Sequence, residues 1–136
     1  EVYFKDAKGI LGFGWSHGSY GKSINQKGAW TEGNNSFLIF DNTKENINYL
    51  DLEISKIVND DKNPLIVNVY LNNKLIKTLK FLDDKKYEID LDLKKNLIIG
   101  LNEILFEIKN PVTPVSKLES VDGRLLGFKL NAYKFR

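Results

Sequence analysis

Residues 65–81 read LIVNVYLNNKLIKTLKF, a stretch that predicts a β-hairpin. Its first seven residues, Leu65–Leu71, are rich in the apolar and β-branched side chains of a strand. Asn72 and Asn73 can form a two-residue loop, because asparagine tolerates the positive φ that a type I′ turn requires. Lys74–Phe81 then returns as the second strand. This segment therefore predicts antiparallel pairing in the middle of the chain.

Alternation of apolar and polar residues recurs on both sides of the hairpin, and no segment of ten residues sustains a helical stripe. Further strands are predicted at residues 36–40, 49–55, 87–93, 103–109 and 125–135. Seven or eight short strands separated by turn signals predict an all-β fold, an antiparallel β-sandwich or jelly roll of about eight strands. Residues 5–35 and 110–124 are the least strand-like parts, and loops of this kind are where binding usually resides.

Length and composition limit the alternatives. A chain of 136 residues fits a single domain spanning 1–136. The 20 basic and 18 acidic residues are scattered, which gives no reason to expect a nucleic-acid surface. No apolar run approaches the roughly 20 residues of a membrane span, so direct membrane insertion is not expected. Because methionine is absent and the chain opens on Glu1, we expect a domain excised from a larger protein.

Both tryptophans lie in the first third of the chain, within Gly14-Trp15-Ser16-His17 and Gly28-Ala29-Trp30-Thr31-Glu32-Gly33. Each indole could stack on the C–H face of a sugar ring, or it could close one end of the sandwich. Trp30 directly precedes a predicted strand, so we expect it to anchor the fold. Trp15 lies between glycine and polar residues, so we expect it to be the better candidate for ligand contact.

Three further side chains of this region are candidates for ligand contact. His17 could hydrogen-bond a hydroxyl group, although a lone histidine in a Gly/Ser loop is more often solvated. Tyr20 could stack at the rim of a site. Glu32 could accept hydrogen bonds from sugar hydroxyls, or it could satisfy backbone donors of a turn.

Near the other end of the chain, Asp122 and Arg124 are two residues apart, so on an extended segment their side chains share a face. They could hold hydroxyls or a carboxylated sugar through charged hydrogen bonds. The structural alternative is that they pair with each other or fix the loop at residues 111–114.

Signals of autonomous catalysis and of metal binding are weak. With one histidine and no cysteine, nucleophilic catalysis would have to pair His17 with a serine, and no nucleophile-elbow sequence is present. Paired-carboxylate glycoside hydrolysis stays open, since two acids suffice. Zinc-ligand spacings and phosphate-cradling glycine motifs are missing, so no cofactor is predicted. Structural calcium has no supporting motif, and acidic pairs such as Asp60-Asp61 and Asp83-Asp84 are expected to be solvated hairpin ends.

A set of motifs resembles the β-sandwich modules attached to bacterial glycosyltransferases and related envelope-polysaccharide enzymes. The set consists of Gly14-Trp15, the Gly-x-Trp-Thr-x-Gly pattern at 28–33, Val-Tyr-Leu-Asn-Asn at 69–73, Asn-Pro-Val-Thr-Pro at 110–114 and Asp-Gly-Arg-Leu-Leu-Gly at 122–127. The resemblance runs from about residue 9 to residue 135. The chain departs from it in the longer Gly/Ser/Lys-rich insertion between Trp15 and Trp30.

This resemblance implies a jelly-roll, carbohydrate-binding-like accessory domain without catalysis of its own. Its partners would be an oligosaccharide or polysaccharide and the rest of its own polypeptide, and its location would be the bacterial cell envelope, on either side of the membrane. In this reading Trp15, Tyr20 and Trp30 stack on sugar rings, while His17, Glu32, Asp122 and Arg124 bond hydroxyls. The alternative is a structural module that packs on its parent enzyme or mediates oligomerisation.

Overall fold

The computed structural model describes residues 9–16, 28–43, 46–113 and 124–136. Within these ranges the chain forms nine β-strands and no helix. The strands are β1 (Gly9–Leu11), β2 (Ala29–Glu32), β3 (Asn35–Asp41), β4 (Tyr49–Ile57), β5 (Leu65–Leu71), β6 (Lys74–Phe81), β7 (Tyr87–Asp92), β8 (Leu101–Ile108) and β9 (Leu126–Phe135). Accordingly, the described residues contain no helix long and apolar enough to cross a membrane.

The strands form two antiparallel sheets that pack face to face. One sheet has five strands in the order β1-β3-β8-β5-β6, and the other has four in the order β2-β9-β4-β7. Neighbouring strands are mostly distant in the chain, as in β3 with β8 and β2 with β9. The all-β antiparallel sandwich predicted from the periodicity is therefore confirmed, with nine strands in the described residues against about eight expected.

Alternation along each strand places one row of side chains between the sheets. In β5, Leu65, Val67, Val69 and Leu71 are all fully buried, while the residues between them face outward. The opposite sheet contributes its own buried rows from β4 and β9. Because successive side chains point to opposite faces of a strand, the sequence pattern of period two and the two-layer core have the same cause.

The hairpin at residues 65–81 has the predicted bounds and the predicted turn. Asn72 and Asn73 have φ values of 51° and 69°, as a type I′ loop requires. The Asn72 side chain adds a second role, because its Nδ2 donates to Oδ1 of the buried Asn102 at 2.8 Å and its Oδ1 accepts from the backbone N–H of Glu103 at 3.0 Å. The loop is thereby attached to β8.

Gly14 allows the first segment of the chain to pass close to β3. Its φ is +93°, and a Cβ at this position would lie 1.8 Å from the carbonyl oxygen of Asn35. The Gly14 carbonyl accepts hydrogen bonds from Ser36 Oγ at 2.6 Å and from the Glu32 N–H at 2.7 Å. Only glycine satisfies both the conformation and the close approach. The next residue, Trp15, is directed into the core as a result.

Candidate functional site

Trp15 belongs to the hydrophobic core, which corrects the expectation that it is the better ligand-stacking residue. It is 6% exposed, and its indole N–H donates to the carbonyl oxygen of Phe37 at 2.7 Å. Its ring makes edge-to-face contacts with Phe106 and Phe128 at centroid distances of 6.0 and 6.1 Å. Both the apolar faces and the polar tip of this indole are thus occupied by the protein itself.

Trp30 has the opposite environment, on the outer face of the four-stranded sheet. The burial pattern of β2 alternates, so Ala29 and Thr31 point into the core while Trp30 and Glu32 point outward. Trp30 is half-buried, lies outside the core cluster, and its ring stacks on no aromatic ring of the described residues. The described core therefore does not include Trp30, which we expected to anchor the fold. We call the outer face of this sheet the Trp30 face.

A β-bulge fixes the position of Glu32 relative to Trp30. Trp30 lies opposite Lys129, but Glu32 lies opposite Leu126. Strand β9 therefore has one extra residue in the part that faces Thr31 of β2. The buried Thr31 hydroxyl accepts hydrogen bonds from the N–H groups of Gly127 and Phe128, both at 3.1 Å. The hydroxyl satisfies the two donors that face it across the bulge, and bulges of this kind change the direction of nearby side chains.

Glu32 and Arg124 approach each other beside Trp30. Arg124 Nε lies 4.0 Å from Glu32 Oε1, and the two side chains are 40% and 28% exposed. The backbone connects the same region, because Gly33 N–H donates to the Leu125 carbonyl at 2.8 Å. The structure therefore brings together three of the predicted site residues, which come from segments some 90 residues apart. An indole, a carboxylate and a guanidinium can offer an apolar surface, acceptors and donors to one ligand.

A hollow of about 340 Å³ lies farther along the Trp30 face. Its lining comes from β4, β7 and β9: Asp51, Leu52, Glu53, Glu88, Asp90, Ala132, Tyr133 and Lys134. The short side chain of Ala132 lies on β9 opposite Glu53, between longer neighbours, which is why the surface is recessed there. The rim is dominated by carboxylates, which accept hydrogen bonds from hydroxyl or ammonium groups.

Two carboxyls of this hollow interact directly. Asp51 lies directly opposite Asp90 in the β4–β7 register, and its carboxyl raises the pKa of the Asp90 carboxyl above its ordinary value, because hydrogen bonding favours the protonated form and the two carboxylates carry like charge. Arg136 partly offsets this, since its Nε donates to Asp51 Oδ2 at 2.7 Å and its Nη2 lies 3.9 Å from Asp90 Oδ2. The sequence predicts a strand that includes Asp90, but local sequence does not specify that Asp51 lies opposite it, so this pair of carboxyls could not be predicted.

His17, Tyr20 and Asp122 lie outside the described residues, so their expected roles stay predictions. Among the residues that the structure does describe, no group of three or more His, Asp or Glu side chains is placed to hold a metal ion. Asp60, one of the acidic residues considered for calcium, instead accepts hydrogen bonds within its turn from the Asn63 side-chain amide, from Lys62 N–H and from Asn63 N–H, and these bonds lower the pKa of its carboxyl.

Comparison with known families and with curated proteins finds no match. Solved structures do match. A family two carbohydrate esterase from Clostridium thermocellum, in complex with cellohexaose, gives a TM-score of 0.50 at 7% identity over 94% of this chain and 31% of that one. The CBM36-1 domain of a multidomain xylanase from the hindgut metagenome of Trinervitermes trinervoides gives 0.45 at 13% identity, over 93% and 89%. A family 35 carbohydrate-binding module from Clostridium thermocellum gives 0.41 at 10% identity, over 90% and 85%.

The esterase match shows a shared fold. This chain spans about a third of the length of that esterase, so only one part of it has a counterpart here.

Proposed function

We propose that this chain is a non-catalytic carbohydrate-binding module whose site is the Trp30 face. One observation carries the proposal: Trp30 lies outside the core on the outer face of the four-stranded sheet, two residues before Glu32, whose Oε1 lies 4.0 Å from Arg124 Nε. The sugar class also has support from the esterase that shares this fold, which was solved with cellohexaose.

In the proposed complex a pyranose ring lies over the Trp30 indole, where C–H groups contact the aromatic face. Glu32 accepts hydrogen bonds from hydroxyls, and Arg124 donates to hydroxyl or ring oxygens. The carboxylates around the hollow offer further acceptors to a longer chain. A shallow open site of this kind binds with roughly −4 to −8 kcal/mol, which corresponds to millimolar to micromolar affinity. Tethering to an enzyme would compensate by raising the effective concentration.

The setting we propose follows the motif resemblance: the module recognises or positions a glycan for a bacterial glycosyltransferase or cell-surface polysaccharide enzyme at the cell envelope. His17, Tyr20 and Asp122 remain part of the proposed site through their neighbours in sequence, Ser16 and Arg124. Ser16 N–H donates to the Trp30 carbonyl at 2.8 Å, so the backbone of Ser16 lies beside the backbone of Trp30.

The test is a glycan array followed by calorimetric titration of the best ligand. We expect Trp30→Ala to weaken binding at least tenfold, because an aromatic contact of about 1.5 kcal/mol is lost. Arg124→Ala should weaken binding less. Ile99 is 86% exposed and lies outside the proposed site, so Ile99→Ala is the control and should bind like wild type. If no glycan binds, or if folded Trp30→Ala binds unchanged, the proposed site is wrong.

A second candidate function, protein association, is favoured by one observation. Ile98, Ile99 and Leu101 are 52%, 86% and 68% exposed, and they form an apolar patch at one loop. The buried Asn102 fixes this loop, since its side chain accepts from Ile98 N–H and donates to the carbonyls of Ile98 and Gly100. A rigid, exposed apolar loop suits packing on another part of the polypeptide or on a second copy.

Sedimentation velocity separates this candidate from glycan binding. If the patch mediates self-association, wild type should sediment faster as its concentration rises and Ile99→Asp should stay monomeric. If wild type stays monomeric at all concentrations, self-association through this patch is excluded.

A further inference from the structure

The outer face of the five-stranded sheet carries two chemically different rows of side chains, side by side. Strand register places one residue from each of β3, β8, β5 and β6 directly opposite the next. The apolar row is Phe37, Leu105, Tyr70 and Leu75, and the polar row is Asn35, Glu107, Asn68 and Thr78. We call this surface the two-row face; it is on the opposite side of the sandwich from the Trp30 face.

Hydrogen bonds hold the polar row in place. Thr78 Oγ1 donates to Asn68 Oδ1 at 2.7 Å, and Asn68 Nδ2 donates to Glu107 Oε1 at 3.1 Å. The Tyr70 hydroxyl donates to the same Glu107 oxygen at 3.4 Å, which links the two rows. In the described part of the chain, Glu107 Oε2 has no hydrogen-bond partner. Three of the four members, Asn68, Thr78 and Glu107, are therefore held in place before any ligand arrives, and Glu107 retains an acceptor.

The apolar row leaves hydrophobic surface exposed across four strands. Leu75 is 54% exposed. Phe37, Leu105 and Tyr70 are half-buried, and the alternating burial pattern of each strand directs their side chains outward. Phe13 extends this surface beside β3, where its carbonyl accepts from Phe37 N–H at 2.9 Å and the residue is 69% exposed. Single exposed apolar residues are ordinary, but a contiguous row next to ordered polar groups is typical of a binding surface.

The spacing of the rows matches an amphipathic chain laid across the strands. Three strand-to-strand steps of about 4.8 Å make each row about 14 Å long, and two residues along β3, β8 and β5 separate the rows by about 6.8 Å. On β6 the bulge in its pairing with β5 places Thr78 three residues after Leu75. A linear glycan has apolar C–H faces and hydroxyls along its edge. Its rings could lie on the apolar row while its hydroxyls reach Glu107, Asn68 and Thr78. Glu107 is the only charged member of either row, and Lys109 Nζ lies 3.8 Å from its Oε1, so the rows carry little net charge and suit a neutral ligand.

We propose that the two-row face is a second glycan-binding surface, which holds a linear, neutral polysaccharide segment across β3, β8, β5 and β6. The inference rests on the proposed function for its ligand class, but it uses residues on the other sheet. A module with both surfaces binds two segments of polysaccharide at once.

Affinity electrophoresis tests this in gels that contain hydroxyethyl cellulose, xylan or glucomannan, together with titration by cellohexaose. Tyr70→Ala should lower the affinity of the two-row face about tenfold, and Thr78→Ala, at an exposed position, should lower it several-fold. Trp30→Ala should keep residual retardation that the double variant Trp30→Ala/Tyr70→Ala loses. Lys80→Ala, which lies on the same strand and sheet face as Thr78 but outside both rows, is the matched control and should migrate like wild type. Thermal unfolding checks that each variant is folded. If Tyr70→Ala does not fold, the comparison of Thr78→Ala with wild type is the test.

The outcomes separate the two proposals. If wild type is not retarded in any gel and does not bind cellohexaose, the two-row face is rejected for neutral linear glycans. If wild type is retarded and Trp30→Ala weakens it, while Tyr70→Ala and Thr78→Ala migrate like wild type, the inference is overturned and the proposed function stands. If Trp30→Ala has no effect but the two-row variants lose retardation, the inference stands and the Trp30 site is wrong.

Discussion

The two tryptophans have different environments, although glycine and polar residues flank both of them in sequence. Trp15 contacts Phe106 and Phe128 and bonds Phe37, so its indole is used entirely by the fold. Among the residues that the structure describes, Trp30 stacks on no aromatic ring, and it lies on an outer sheet face. At this scale the difference is made by residues that are distant in the chain, since a side chain's accessibility depends on what is packed against it.

Tyr133 gives a prediction about alkaline stability. The residue is 2% exposed, its hydroxyl donates to the Gly9 carbonyl at 2.6 Å, and burial raises the pKa of its phenol well above the ordinary value. In the unfolded chain the phenol ionises near pH 10, so above that pH the unfolded state binds fewer protons than the folded state and the free energy of unfolding falls.

Urea unfolding of wild type and Tyr133→Phe from pH 7 to pH 11.5 measures this effect. At pH 7 wild type should be more stable by about 1 kcal/mol, because the variant lacks one hydrogen bond. Above pH 10 that advantage should shrink by about 1.4 kcal/mol per pH unit and then reverse. A difference that stays constant across the range would contradict the assigned burial of this phenol.

At the scale of elements, the bulge between β2 and β9 depends on one hydroxyl. Thr31→Val keeps the shape of the side chain but leaves the N–H groups of Gly127 and Phe128 without their acceptor. We expect a loss of at least about 2 kcal/mol in the free energy of unfolding. Thr31→Ser, which keeps the hydroxyl and loses a methyl group, should cost only about 1 kcal/mol. Equal losses in chemical denaturation would mean that the hydroxyl does not support the bulge.

The β5–β6 turn gives a second matched pair of variants. Asn72→Ala removes the bonds to Asn102 and Glu103 and introduces a residue that disfavours positive φ, so we expect a loss of about 2 kcal/mol or more. Asn73 is exposed and also has positive φ, so Asn73→Gly should leave stability unchanged or raise it slightly. Thermal melting compares the two; a larger loss for Asn73→Gly would reverse the assigned roles.

Long alternating segments could be predicted from the sequence, and short ones could not. The hairpin at residues 65–81 and the strands after residue 35 show a period of two over six or more residues. Strands β1 and β2 are three and four residues long and lie in glycine-rich surroundings, so no period can develop within them. The same limit explains why the sequence did not predict that Trp15 belongs to the core and Trp30 does not. Their partners on β3, β8 and β9 become neighbours only through sheet pairing, which local sequence does not specify.

Some of the site could be predicted from residue chemistry alone. Trp30, Glu32 and Arg124 were chosen as candidates because of their side chains, and the structure brings them together. The carboxylates around the hollow and the two-row face could not be predicted in this way. The hollow combines residues of three neighbouring strands and the two-row face combines residues of four, and only strand order and register make them contiguous.

At the scale of the molecule, the sandwich presents two outward faces with one hydrophobic core between them. The core includes Trp15, so binding on either face need not disturb it. The four-stranded sheet presents an indole and charged groups, whereas the five-stranded sheet presents an apolar row beside a polar one. This arrangement suits a module that holds polysaccharide without changing shape, which agrees with the proposed role beside an enzyme.

The central claim is that Trp30 contacts the glycan while Trp15 stays in the core, and acrylamide quenching of tryptophan emission tests it most directly. Without ligand, we predict one protected and one accessible tryptophan. A saturating amount of the glycan selected on the array should shield the accessible one. Folded Trp30→Phe should retain only the protected emission and lose the glycan-induced change. The account would be contradicted if bound glycan left the accessible fraction of emission unchanged, or if the accessible emission persisted in Trp30→Phe.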